Sequence, residues 1–140
     1  MTIAPLEPLV GTWDIQAFDT PGRMTIEPDL DGTVLVQRSE VEHPAAPTAM
    51  SVISAAGAPE GQWLQHYFDS RGVCRVYAMT FDGTTWTLVR ETHDFSDLRF
   101  DQRFVGTLSE DGSRIDGHWD MRHPGGDWEP DFALGYSRAL

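Results

Sequence analysis

Two consecutive β-hairpins between Trp63 and Thr92 constrain the fold of this chain most strongly. The first turn is predicted at Asp69-Ser70-Arg71-Gly72, and the second is built on Asp82-Gly83, a pair typical of tight hairpin turns. Large apolar and smaller polar side chains alternate on both sides of each turn, with the period of a β-strand. The stretch is therefore predicted to form three adjacent antiparallel strands.

The alternation also predicts which face of these strands is buried. If Phe68 lies opposite Val73 across the first turn, the larger side chains share one face, and the opposite face is smaller and more polar. The first face is therefore expected to point inward. It carries Leu64, His66, Phe68, Val73, Arg75, Tyr77, Met79, Phe81, Trp86, Leu88 and Arg90. Basic or titratable groups among buried aromatic rings indicate a ligand cavity.

The rest of the chain continues as short strands separated by turn residues. Pro5 and Pro8 are expected to keep the first residues extended, and turns are predicted around Thr20-Pro21-Gly22 and from Asp94 to Asp97. No stretch of ten residues combines helical spacing with a cap. The further predicted strands are Leu9 to Ile15, Met24 to Glu27, Thr33 to Val41, Ala49 to Ala55, Phe100 to Leu108, Ile115 to Met121 and Trp128 to Arg138.

About ten short strands must close or stack to protect their edges. Nearly every predicted link is a hairpin between sequence neighbours, whereas a sandwich needs longer crossing connections. The sequence therefore predicts an all-β fold, a single closed up-and-down antiparallel barrel covering residues 1–140. A barrel of eight to ten strands has room for a small ligand. A barrel filled by its own side chains is the alternative.

Composition excludes several classes of function. Twenty-two acidic and ten basic residues give a net charge of −12 without a basic cluster, which disfavours nucleic acids and anionic membranes as partners. All ten basic residues are arginines, so lysine-based Schiff-base chemistry is absent, and the single Cys74 excludes an internal disulfide. The sequence has no apolar membrane span and no cleavable signal at its N-terminus, which predicts a cytoplasmic protein. A monomer or homodimer is expected.

A family resemblance rests on both ends of the chain. Gly11-Thr12-Trp13 together with Arg138 resembles the calycin superfamily of lipocalins and fatty-acid-binding proteins, in which such a tryptophan packs against an arginine at the barrel base. The segments from His66 to Val76, Gln102 to Thr107 and Trp128 to Phe132 resemble an uncharacterised group of bacterial calycin-like proteins. That group implies no established activity. The chain lacks the glycine-rich first strand of haem-binding nitrobindins, so no cofactor is predicted.

The predicted ligand site combines polar anchors with an aromatic wall. Arg90, Tyr77 and Arg75 are expected to bind the anionic group of an apolar ligand, because guanidinium groups are good donors to carboxylates. In the structural alternative, Arg75 and Arg90 pair with Glu40 on a neighbouring wall. The predicted ligand-binding residues are His66, Arg75, Tyr77, Arg90, Phe68, Phe81, Trp86, Gln102 and Trp119.

Two functions are compatible with this pattern. The first is a binding protein that holds an apolar or amphipathic, anionic small molecule inside the barrel. The second is a cofactor-independent isomerase, cyclase or lyase that uses His66, Tyr77 or Glu40 as acid and base in the same cavity. No metal site is predicted, because the histidines at positions 43, 66, 93, 118 and 123 show no metal-binding spacing.

Overall fold

Ten β-strands follow a short N-terminal 3₁₀ helix in the computed structural model, which describes residues 2–91 and 99–139. The 3₁₀ helix is Ala4–Leu9, and the strands are β1 Gly11–Ala17, β2 Thr20–Asp29, β3 Val34–Val41, β4 Ala49–Ser54, β5 Trp63–Asp69, β6 Cys74–Phe81, β7 Thr85–Arg90, β8 Asp101–Leu108, β9 Arg114–Arg122 and β10 Glu129–Arg138. Thr92, His93 and the predicted polar turn from Asp94 to Asp97 lie outside the described residues. Within those residues, no helix is long and apolar enough to cross a membrane.

The strands form one closed ring in which each strand pairs with its neighbours in sequence. All pairs are antiparallel, and β1 pairs with β10 to close the ring, with Trp13 opposite Arg138. The predicted all-β fold and its closed up-and-down barrel are therefore confirmed. Closure gives the backbone groups of every strand a partner on both sides, so neither edge of the sheet is left exposed.

The first central hairpin differs from its predicted register by one residue. Phe68 pairs with Cys74, and the Asp69 amide donates to the Val73 carbonyl at 3.1 Å, so the loop holds three residues instead of four. Gly72 takes a left-handed conformation with φ of 82°, as three-residue loops require. Because side chains alternate with period two, this shift turns β5 over relative to the prediction.

Two further local predictions were wrong. The first hairpin turn lies at Phe18 and Asp19, both with positive φ, so Pro21 and Gly22 belong to a longer β2. The first residues are not extended but form the 3₁₀ helix, where Pro5 stands in the first turn. Proline suits that position because its fixed φ is close to helical and its missing N–H would have had no partner there.

The N-terminal 3₁₀ helix covers one end of the barrel, here called the closed end. Trp13 is fully buried there, and its indole N–H donates to the Leu9 carbonyl at 3.0 Å. The Arg138 guanidinium lies 4.1 Å from the Trp13 ring and donates to the carbonyls of Pro8, Val10 and Gly112. The predicted contact between Trp13 and Arg138 is confirmed. Gly11 is required beside it, because a Cβ at this position would collide with the guanidinium.

The half of the interior next to the closed end is packed with side chains around Phe104 and Trp86, and is here called the filled half. Phe104 is 1% exposed and packs against Trp86 and Trp119. Its ring lies on the backbones of Gly106 and Gly117, where an added Cβ would stand 2.9 Å and 2.6 Å from ring carbons. Such distances are too short for real contacts, so these two glycines make the space that the ring occupies.

Candidate functional site

Polar side chains line the inner wall of four neighbouring strands in the distal half of the barrel, away from the closed end. The observed register places these side chains next to one another. Gln37 lies opposite Ser51, Ser51 opposite Tyr67, and Tyr67 opposite Arg75. Gln65 lies one step deeper on β5 and is 4% exposed. We call Gln37, Ser51, Gln65, Tyr67 and Arg75 the polar layer.

Two members of the polar layer have unpaired oxygens. The Gln65 amide nitrogen donates to Ser51 Oγ at 3.2 Å, and the Gln37 amide nitrogen contacts Met24 Sδ at 3.0 Å. The Oε1 atoms of both glutamines are buried and have no hydrogen-bond partner. Buried acceptors are ordinarily paired, because losing a bond to water without a replacement is unfavourable. The polar layer therefore offers two acceptors that the protein itself leaves unused.

A short hydrogen-bonded chain borders the polar layer at the first central turn. Tyr67 donates its hydroxyl to Asp69 Oδ2 at 2.8 Å, and Arg71 donates to the same oxygen at 2.7 Å. The Asp69 side chain is inaccessible to solvent. Burial alone would raise its pKa, but the bonds from Arg71 and Tyr67 outweigh burial and lower the pKa to about 2. Burial and the bond to Asp69 raise the pKa of Tyr67, so its hydroxyl stays a donor.

Arg75 is the cation of the polar layer. It is half-buried, and within the described part of the chain its guanidinium forms no ion pair. The expectation that Glu40 would pair with Arg75 from a neighbouring wall was wrong. Glu40 is exposed on the outer face of β3, where it lies opposite Arg23. The cation therefore faces the interior without a carboxylate.

From Tyr77 on β6 round to β10, the inner wall carries large aromatic and apolar groups. Tyr77 is 3% exposed, donates its hydroxyl to Gln102 Oε1 at 3.1 Å, and packs edge-on against Trp119 with ring centroids 5.5 Å apart. Leu134 continues this wall on β10, opposite Gly117. Arg90 is 2% exposed, pairs with Gln102 and has an interaction of its own. This side of the distal half therefore combines apolar surface on Trp119 and Leu134 with polar groups that already have partners.

The predicted site residues separate into three groups. Arg75, Tyr77, Arg90, Gln102 and Trp119 come together in the distal half, on the inner face. Phe81 and Trp86 also point inward, but they pair with each other deeper in the filled half. His66 and Phe68 were placed wrongly, because the shifted register of β5 turns both outward, and Phe68 is 42% exposed.

Sequence reasoning missed the inward Gln65 and Tyr67 for the same reason. The signal that could have found them is the spacing Asp69-x-x-Gly72, since a left-handed glycine at the third loop position is typical of three-residue hairpin loops. Trp63 gives a second signal, because with this register the largest side chain of β5 is buried at 2% exposure. Gln37 and Ser51 were assigned to strands without an orientation.

The outer surface has its own features. A groove of about 490 Å³ crosses the outside of β2 to β5 and contains Phe68, Met50 and Arg38. On the other side, Asp120 is 8% exposed and accepts a hydrogen bond from Arg103 at 3.0 Å. Trp128 lies between Arg103 and Arg122, 4.3 and 4.4 Å from their guanidinium carbons. Among the described residues, no cluster of three or more His, Cys, Asp or Glu could hold a metal ion.

Comparisons with known proteins add no relative to this description. No protein-family model matches the chain, and no curated protein matches it. The functional argument therefore depends on the geometry of the barrel.

Proposed function

We propose that this protein binds an amphipathic small molecule with an anionic group in the distal half of its barrel. The observation that carries the proposal is Arg75, a half-buried guanidinium on the inner wall without an ion pair in the described residues. A partly desolvated arginine is ordinarily paired, and a carboxylate on a ligand would supply the missing charge.

The residues that line the interior support an amphipathic ligand. Arg75 and the glutamines of the polar layer would contact its polar group, while Trp119 and Leu134 would contact its apolar body. Small-molecule sites commonly combine an apolar lining with a few polar groups that set orientation. The resemblance to calycins agrees with this proposal, since it implies a barrel that encloses apolar ligands. A cytoplasmic monomer or homodimer stays the expectation from the sequence.

Binding is proposed in preference to catalysis because of where the acid–base residues lie. His66 and Glu40 were two of the three groups considered for the isomerase, cyclase or lyase, and both lie on the outer face. The third, Tyr77, is engaged as a hydrogen-bond donor to Gln102. General acid–base catalysis needs a titratable group within hydrogen-bond reach of the substrate.

The proposal can be tested by calorimetric titration with 2-naphthoate and with its neutral analogue 2-methylnaphthalene. In the Arg75→Met variant we expect binding of the acid to weaken by about 1.5 to 3 kcal/mol, the scale of a hydrogen bond to a charged group. The neutral analogue should lose much less. A variant that merely damaged the barrel would weaken both compounds alike.

Arg38→Met is the matched control, because Arg38 lies on the outer face beside Met50. It should bind the acid as the unaltered protein does. If Arg38→Met abolished binding while Arg75→Met left it unchanged, the ligand would occupy the outer groove, and the proposed interior site would be wrong. An unaltered protein that binds no acid would contradict the proposed function.

A further inference from the structure

The two unpaired glutamine oxygens narrow the class of ligand. Within the described residues, four buried side-chain nitrogen or oxygen atoms lack a hydrogen-bond partner: Gln37 Oε1, Gln65 Oε1, Trp86 Nε1 and Arg103 Nε. Arg103 lies on the outer face beside Asp120 and Trp128, and Trp86 packs against Phe104 in the filled half of the interior. The remaining two atoms are both acceptors, and both belong to the polar layer.

In each of the two glutamine amides, the nitrogen has a contact and the oxygen has no hydrogen-bond partner. The Gln37 nitrogen lies 3.0 Å from Met24 Sδ, and a thioether sulfur can accept but cannot donate. The nitrogen must therefore face the sulfur, and the oxygen is left over. In the structure the Gln65 nitrogen donates to Ser51 Oγ at 3.2 Å, and the Gln65 oxygen has no partner. Two strands on either side of β4, namely β3 and β5, thus each present one carbonyl oxygen to the interior, on the same wall as Arg75.

We infer that the ligand carries an O–H or N–H donor in addition to its anionic group, so that a hydroxylated aromatic carboxylic acid fits this wall and a plain fatty acid does not. The inference rests on the proposed function, because it assigns Arg75 to the anion. One of the two glutamines, Gln65 or Gln37, then determines specificity by accepting the single hydrogen bond that a hydroxyl can donate. A plain acid would leave that amide oxygen buried and unpaired.

Discrimination of this kind is characteristic of buried polar sites. A site built to hydrogen-bond a hydroxyl rejects the analogue that lacks it, because the site's own polar groups lose water without gaining a partner. The same reasoning makes the glutamines unfavourable in the empty protein. Replacing Gln37 by an apolar side chain of similar size should therefore leave the stability of the empty barrel unchanged or raise it, whereas replacing Gln65 also removes the partner of the buried Ser51 hydroxyl.

The experiment compares 6-hydroxy-2-naphthoate with 2-naphthoate, which differ by a single hydroxyl group. We expect the hydroxylated acid to bind the unaltered protein about tenfold or more tightly than the plain acid, the effect of one good hydrogen bond. In Gln65→Leu or in Gln37→Leu, whichever glutamine accepts the hydroxyl, this ratio should fall to about threefold or less. In Gln37→Leu the melting temperature of the empty protein should stay equal or rise, because only a contact with a sulfur is lost. Gln16→Leu is the matched control, because Gln16 is exposed on the outer face of β1.

Each outcome decides the inference. If the two acids bind equally well to the unaltered protein, the donor requirement is overturned and the proposed anion site stands. If neither acid binds, the proposed function falls, and the inference falls with it. If both glutamine variants melt at lower temperature and keep the tenfold ratio, the amides are structural and do not determine specificity.

Discussion

The two ends of the barrel treat buried polar groups in opposite ways. At the closed end, Arg138 donates to three backbone carbonyls, and the Trp13 indole is bonded to Leu9. In the distal half, Arg75 has no ion pair among the described residues, and two glutamine oxygens have no partner. An arginine that saturates backbone carbonyls holds a fold together. Arg75 has no such role in the fold, since none of the described carboxylates pairs with it.

Arg138 and Arg75 differ in the backbone carbonyls that lie near each guanidinium. The last carbonyls of a helix have no partner within the helix and carry partial negative charge. Arg138 lies where the N-terminal 3₁₀ helix ends, so that helix supplies two of its acceptors, Pro8 and Val10. No helix lies near Arg75 among the described residues. The closed end should therefore dominate stability, and the distal half should tolerate substitution.

The largest expected effect is on the closed end itself. Trp13→Ala should lower the free energy of unfolding by about 3 to 5 kcal/mol, the range for large-to-alanine truncation in a core, because Trp13 is fully buried. Phe68→Ala, which removes an aromatic ring that is 42% exposed in the distal half, should cost less than about 1 kcal/mol. Urea denaturation followed by circular dichroism measures both. If both variants lost the same free energy of unfolding, the closed end would not dominate stability.

The next effect compares the two arginines directly. Arg138→Met leaves three buried or half-buried carbonyls without their donor and should cost about 1.5 to 3 kcal/mol, without changing the affinity for acids. Arg75→Met should leave the stability of the empty protein unchanged or slightly higher, because no ion pair is lost. Thermal unfolding with parallel titration separates the two roles. A marked stability loss in Arg75→Met would mean that Arg75 is structural as well.

The smallest expected effect is the pH dependence of the unfolding free energy that arises from Asp69, which is hydrogen-bonded to Tyr67 and Arg71. The pKa of Asp69 is about 2 in the folded protein, below its ordinary 3.8, so ionisation of this carboxyl stabilises the fold. That stability is fully present above about pH 4 and is lost as the pH falls toward 2. We expect it to be on the order of 1 to 2 kcal/mol, since Arg71 is half exposed and its charge is screened.

Asp69→Asn tests this pH dependence. Its deficit in unfolding free energy relative to the unaltered protein should be constant above about pH 5 and shrink as the pH falls from 4 to 2. Asp14→Asn removes an exposed ion pair with Arg23 and should change stability little at any pH. A deficit of Asp69→Asn that does not vary with pH would show that the carboxylate charge contributes nothing.

About half of the candidate site could be predicted from the sequence. The first central hairpin separates the strand whose buried face was predicted wrongly, β5, from those predicted correctly, β6 and β7. On β6 and β7, Arg75, Tyr77 and Trp86 were assigned to the correct face, because the Asp82-Gly83 turn keeps Phe81 opposite Trp86. On β5, His66 and Phe68 were assigned inward, and the prediction failed by one residue of loop length. At the closed end, the contact of Trp13 with Arg138 was predicted from the resemblance to calycins, and the structure confirms that contact.

The sequence by itself determined the all-β class, the nearly complete set of strands and the closed barrel, because turn residues and period-two alternation are local properties of the chain. The 3₁₀ helix escaped it, since two prolines suit an extended segment as well as a first helical turn. Only the tertiary structure decided which face of β5 is buried and which polar groups meet inside. Both depend on hydrogen-bond register and on ring closure, which bring Gln37, Gln65 and Arg75 to one wall from three strands. A period of two cannot distinguish a three-residue loop from a four-residue one, and that single residue decides which side chains of β5 point into the barrel.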